Sequence, residues 1–179
     1  MKNSIIIAAF ALVAFVFGTN QAQAQEEATT TVNITLADVI SIDASSVANN
    51  GVVNFEYTTA EHYNNGLPAK TQESALIVTS TKNFNVTVKA GGKDFKDGAN
   101  KIPVDVLTIQ ATGGTMGGAK QTVVLSDKEQ TLVGDADLGS ELTIDFNYEI
   151  PAEKSSSSDI LGKPAGTYTQ TVTYTATAI

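Results

Sequence analysis

The clearest alternation of apolar and polar residues runs from Leu142 to Ile150. Leu142, Ile144, Phe146, Tyr148 and Ile150 hold one parity, and Thr143, Asp145, Asn147 and Glu149 hold the other. Successive strand side chains face opposite sides of a sheet, so this stretch predicts a strand with one buried and one wet face. The same period recurs at Val32, Ile34, Leu36, Ile40 and Ile42, where Asp38 interrupts the row, predicting one strand kinked there or two in succession. Val53–Tyr57 and Phe84, Val86 and Val88 repeat it. Ala75–Val78 is apolar on both parities, as in a strand covered on both faces.

Between these rows the chain predicts turns and irregular pieces. Thr59 before Ala-Glu-His-Tyr, with Gly66 after it, predicts a short capped helical turn. Residues 91–101, rich in Gly, Lys, Asp and Asn, predict an exposed connection. Pro103 then predicts an edge position at the start of a strand through Val104, Val106, Leu107 and Ile109, with a bulge where the parity switches. Val123–Leu125 and Thr131–Val133 read as short strands, and Lys154 with the serines at 155–158 as a flexible loop. The last row is Gly166–Ile179, with Tyr168, Val172, Tyr174, Ala176 and Ala178 facing one way and threonines the other. The chain stops within this pattern, and no C-terminal anchor or sorting extension is expected after it.

The sum is about nine strands with no amphipathic helix beyond two turns, which predicts an all-β, antiparallel sandwich or barrel. Threonine occurs 23 times, and its branched Cβ suits a half-exposed pleated surface.

The front of the chain changes the picture from fold to address. Lys2 precedes the apolar run Ile5–Phe17 and the small-residue site Ala22-Gln23-Ala24, which predicts a secretory signal peptide over 1–24 and one domain over 25–179. The apolar run is shorter than the ~20 residues of a spanning helix, so no membrane insertion of the mature chain is expected. The predicted location is periplasm, cell surface or extracellular space. No cysteine is present, so neither a lipid attachment nor a disulfide is available, and stability rests on packing and sheet hydrogen bonds. All 11 basic residues are lysines against 19 acids, a net charge of −8 that becomes about −9 once Lys2 is lost. Nucleic acid is therefore an unfavourable partner.

Candidate chemistry is sparse. The single His62 has no nucleophile motif beside it, and scattered acids guarantee chance carboxylate pairs, so no enzyme, catalytic residue or cofactor is expected. Asp135, Asp137 and Glu141 around Gly139 have the look of a calcium turn but lack EF-hand spacing, and a solvated acidic turn is the simpler reading. Glycan binding by stacking of sugar faces needs exposed rings, yet most aromatics occupy core parity. Only His62, Tyr63, Asn64 and Asn65 place an aromatic beside amides in a loop, a candidate site for an envelope glycan such as peptidoglycan. For self-association, Val32, Ile34 and Leu36 form a row suited to adding a strand to a sheet edge, with Gly166, Tyr168, Val172 and Tyr174 as the candidate receiving strand. The same row also serves as the first strand of its own domain.

Several short stretches carry a resemblance. Lys163-Pro-Ala-Gly-Thr-Tyr168 followed by Thr169-Gln-Thr-Val-Thr-Tyr-Thr175, the opening Val32-Asn-Ile-Thr-Leu-Ala-Asp38, the turn Tyr63-Asn-Asn-Gly66 and Lys101-Ile-Pro-Val104 resemble small secreted proteins of Bacteroidetes, especially flavobacteria, related to the domain of unknown function DUF4402. More remotely, the layout resembles chaperone-usher pilins, including the cysteine-free CS1 type. Those commonly carry a glycine fourteen residues from the end, matched by Gly166, and a penultimate tyrosine, where Ala178 stands instead. The resemblance implies a single exported immunoglobulin-like β-sandwich with a structural or adhesive role, possible partners being other copies through strand exchange or other surface proteins.

Overall fold

The computed structural model describes residues 27–179. The expected signal segment, 1–24, and its cleavage before Gln25 lie outside them. Among the described residues there are eleven strands, more than the nine or so expected, and two short helices.

The 142–150 alternation folds as read. It forms the second half of β10 (Gly139–Glu149), the centre of a five-stranded antiparallel sheet that also holds β1 (Ile40–Ile42), β2 (Lys70–Ser80), β6 (Thr108–Thr112) and β8 (Thr122–Val124) in the order β1-β2-β10-β6-β8. The second sheet has the order β11-β3-β9-β7, built from β3 (Phe84–Ala90), β7 (Ala119–Lys120), β9 (Gln130–Ala136) and β11 (Val172–Ala178). Within Leu36–Ile179, a compact unit, the two sheets share one core. Leu76, Val78, Ile109, Ile144, Phe146 and Tyr148 of the first join Phe84, Val86, Val88, Leu132, Val133 and Ala136 of the second. The Phe146 ring stacks on Tyr174 of β11 with centroids 4.7 Å apart. Burying each large side chain stabilises the fold by roughly 1.5–3 kcal/mol.

Side chains hold the irregularities of these sheets. The β2–β10 register shifts between Ile144 and Phe146 and again between Gly139 and Leu142. At the first shift Ser74 takes φ 50° and its amide donates to Asp145 Oδ1 at 2.8 Å; at the second Glu141 takes φ 52° and its amide donates to Thr79 Oγ1 at 3.0 Å. In β9, Asp135 at φ 50° donates to Asn85 Oδ1 at 2.8 Å. Each bulge frees a backbone amide, and a polar side chain supplies the missing acceptor.

Several expectations are corrected. Residues 91–101 are not a bare connection: β4 (Asp94–Asp97) and β5 (Asn100–Pro103) form a two-stranded hairpin around Gly98 at φ 58°. Pro103 closes that hairpin instead of opening a strand, and Val104–Val106 is a 3-10 turn that buries both valines, which explains the parity switch before Leu107. The serine stretch is not a flexible loop, because α2 (Ala152–Ser155) follows Pro151 and Ser155 is buried against the Tyr57 hydroxyl at 2.7 Å. Gly166–Ile179 is a strand only from Val172, preceded by a single bridge between Thr169 and Lys96. Within 29–42, only Ile40–Ile42 is a strand. The helical turn is found as expected: α1 spans Ala60–Asn65 between Thr59 and Gly66, with Thr59 Oγ1 accepting from the His62 amide.

Candidate functional site

Val32, Ile34 and Leu36 stand 77%, 81% and 89% exposed, and no strand is assigned over 27–39. Period-2 patterning sets which way side chains point in an extended chain, but it does not create a neighbour. The unit that holds both sheets begins at Leu36. Its first ordered ties are the Val39 amide to Thr81 Oγ1 at 2.9 Å and an ion pair of Asp38 with Lys82 at 2.6 Å, both at the surface.

The candidate receiving strand is an edge. In its sheet β11 has one neighbour, β3, with Tyr174 opposite Val88 and Ala176 opposite Val86. Val172, Tyr174 and Ala176 turn toward the core while Thr173, Thr175 and Thr177 are exposed, so the parity read from sequence holds. β11 carries no charge and no proline, the features that usually keep an edge from pairing with another chain. Gly166 and Tyr168 lie before the strand. A side chain at Gly166 would collide with the Asp97 carboxylate, and the Tyr168 hydroxyl donates to the Pro164 carbonyl at 2.8 Å. Gly166 against Asp97 and the Thr169–Lys96 bridge hold the approach to β11 against the β4–β5 hairpin.

A second extended stretch behaves like a strand without being one. Val53, Phe55 and Tyr57 pack against the core while Val52, Asn54 and Glu56 are exposed, yet the segment belongs to no strand. Among the described residues the backbone amides from Val52 to Tyr57 have no hydrogen-bond acceptor. Sequence reading found the alternation but could not show that the backbone stays unpaired.

The His62–Asn65 loop sits on α1. Tyr63 packs against Tyr57 with centroids 4.9 Å apart and an interplanar angle of 39°, so its ring belongs partly to the core. His62 Nδ1 accepts from the Thr58 amide at 3.2 Å, and Asn64 and Asn65 are exposed. The Tyr63 ring, the candidate platform, therefore already has one neighbour. At the acidic turn, Asp135 and Glu141 are bulge residues and the Asp135 carboxylate accepts from Asn83 Nδ2 at 3.2 Å. Among the described residues no three His, Cys, Asp or Glu side chains gather closely enough to hold a metal ion.

One arrangement escaped the sequence reading altogether. A cleft of about 230 Å3 on the outer face of the five-stranded sheet is lined by Ala69, Thr108, Gln110, Thr122, Asn147 and Glu149. These residues come from several separate stretches, and only the register brings them together. The signal available in sequence was their polar parity opposite the core rows. No protein-family model and no curated protein matches this chain.

Proposed function

We propose that this chain is an exported, non-enzymatic structural or adhesive protein of the bacterial envelope or cell surface, a pilin-like subunit that joins copies by lending its N-terminal segment as a strand. The observation that carries the reading is the row Val32, Ile34 and Leu36, three large apolar side chains at period 2, all exposed and in no strand. Leaving them in water forgoes roughly 1.5–3 kcal/mol for each side chain that full burial would give. An extended segment of that pattern recovers the energy by laying its apolar row on a sheet edge and pairing its backbone with the edge groups. The uncharged edge of β11 supports the role of acceptor, and the bare amides of 52–57 offer a second unpaired backbone.

The reading also agrees with the resemblance to small secreted β-sandwich proteins and, remotely, to pilins with immunoglobulin-like domains. It places the mature chain in the periplasm, on the surface or outside the cell. Partners are further copies or other surface proteins that present an open edge.

Deletion of residues 25–36 tests it. The expected product is folded, monomeric in size-exclusion chromatography, and able to bind a synthetic peptide of residues 27–38 added in trans. An oligomer of unchanged size after the deletion would sink the proposal.

A further inference from the structure

We propose that the outer face of the five-stranded sheet binds an unbranched, uncharged oligosaccharide that lies across the strands in the cleft lined by Ala69, Thr108, Gln110, Thr122, Asn147 and Glu149. The register carries the argument. Asn147 of β10 is opposite Thr71 of β2 on one side and Gln110 of β6 on the other, and Gln110 is opposite Thr122 of β8. A single row of hydroxyl and amide side chains thus crosses four adjacent strands. Their chain neighbours Phe146, Tyr148, Ile109 and Ala111 are buried, so the row points outward by strand parity.

Apart from one bond between Thr71 and Asn147, the polar groups of this row are free to act on a ligand. The Thr71 hydroxyl donates to Asn147 Oδ1 at 2.6 Å, which fixes the amide and leaves its NH2 as a donor. Among the described residues the side chains of Thr108, Gln110, Thr122 and Glu149 make no hydrogen bond or ion pair. Amides and hydroxyls donate and accept at once, as sugar hydroxyls do, so a row of them suits a polyhydroxylated chain. Neighbouring strands lie about 4.8 Å apart, close to the rise of one pyranose unit along an extended β-linked glycan. Such a chain, laid across the strands, meets a fresh polar side chain at each unit.

Charge selects within that class. Among the described residues Glu149 is the one ionisable group lining the cleft, and no lysine lines it. On a chain of net charge −8 this disfavours uronate polymers and other polyanions. Glu149 instead accepts hydroxyl protons in charge-assisted bonds. In the next rank Glu149 is opposite Thr108 and Thr108 is opposite Val124, whose side chain is exposed and offers an apolar contact for a ring face. Among the described residues no aromatic ring lines the cleft, so each unit binds weakly and an array of copies would gain by multivalency. The inference does not rest on strand exchange, since the cleft uses neither the N-terminal segment nor β11.

The test is titration of isotope-labelled protein with cellohexaose and with the hexamer of N-acetylglucosamine, followed by NMR, with polygalacturonate as the anionic control. Saturable shifts are expected at the side-chain amides of Gln110 and Asn147 with at least one neutral hexamer, and none with polygalacturonate. Asn147→Ala should weaken binding about tenfold or more, the size of effect that losing one to two hydrogen bonds brings. Gln110→Leu, which removes no hydrogen bond within the protein, should do the same, so a folding defect in the first variant would not hide the answer. Thr131→Ala on the exposed face of β9 in the other sheet should change nothing. Absence of saturable shifts with both neutral hexamers, equal binding of polygalacturonate, or full affinity in Gln110→Leu would each overturn the proposal.

Discussion

Tyr148 and Tyr174 are where the two sheets meet through polar atoms. Their hydroxyls lie 2.7 Å apart, and the Tyr148 hydroxyl also donates to Gln72 Oε1 at 2.8 Å. Burial pushes the Tyr148 phenol up to about 12, its bond with Tyr174 working in the opposite direction. Burial, together with the neighbouring Tyr148, also holds Tyr174 well above the ordinary range. In the unfolded chain both phenols ionise near pH ~10, so above that pH the unfolded state binds fewer protons than the folded one. Stability from the pair is full below about pH 10 and is lost as pH rises toward 12 for Tyr148, by up to about 1.4 kcal/mol per pH unit for each phenol. Urea midpoints followed by far-UV circular dichroism at pH 9 and pH 11.5 should show a drop that shrinks in the Tyr148→Phe, Tyr174→Phe double variant. An equal drop in both proteins would place the effect elsewhere. That both tyrosines face the core was legible from their parity. That they touch each other was not, because Tyr148 pairs with β2 and β6 while Tyr174 pairs with β3, and only packing of one sheet on the other joins them.

At the scale of elements, sequence pattern reported side-chain direction well and backbone pairing badly. β3 and β10 were legible because alternation over several residues has one explanation when one face is buried. Val104 and Val106 mimic that alternation over a single 3-10 turn, where both also point inward. The β4–β5 hairpin was hidden because it mixes Lys, Asp and Asn with Phe95 and Ile102, which only partly cover the core. The segment 52–57 is the sharpest case, since its side chains behave as in a strand and its amides do not. Hydrogen exchange separates the two properties. Amides from Val52 to Tyr57 should exchange fast, close to the rates of exposed turns, while those of β10, flanked by β2 and β6, should be the slowest in the chain. Protection of 52–57 in the assembled protein but not in the deletion of 25–36 would identify this segment, and not β11, as the acceptor of the lent strand. The outer-face cleft was illegible for a different reason: the row Thr71, Asn147, Gln110 and Thr122 exists only after four strands have taken their register.

At the scale of the molecule, the proposed joining of copies sets two forces against each other. The exposed row Val32, Ile34 and Leu36 gains by burial in a neighbour, and the charge of about −9 on each mature chain opposes the approach of any neighbour. The acids are scattered over the sequence with no basic run to pair them, so the repulsion acts between whole molecules. Its range is the Debye length, ~30 Å at 0.01 M salt and ~3 Å at 1 M. Hydrophobic burial of the row does not weaken with screening. Adding sodium chloride to the mature chain should therefore raise its sedimentation coefficient, with most of the change complete once the screening length has fallen below about 10 Å. The Val32→Asn, Ile34→Asn, Leu36→Asn variant keeps the charge and loses the apolar row, and it should remain monomeric across the same series. If salt assembles the variant as readily as the parent, association comes from general loss of repulsion and the N-terminal row has no part in it. If only the parent assembles, the alternation at 32–36 is an assembly element held in check by net charge, and ionic strength sets how far it acts.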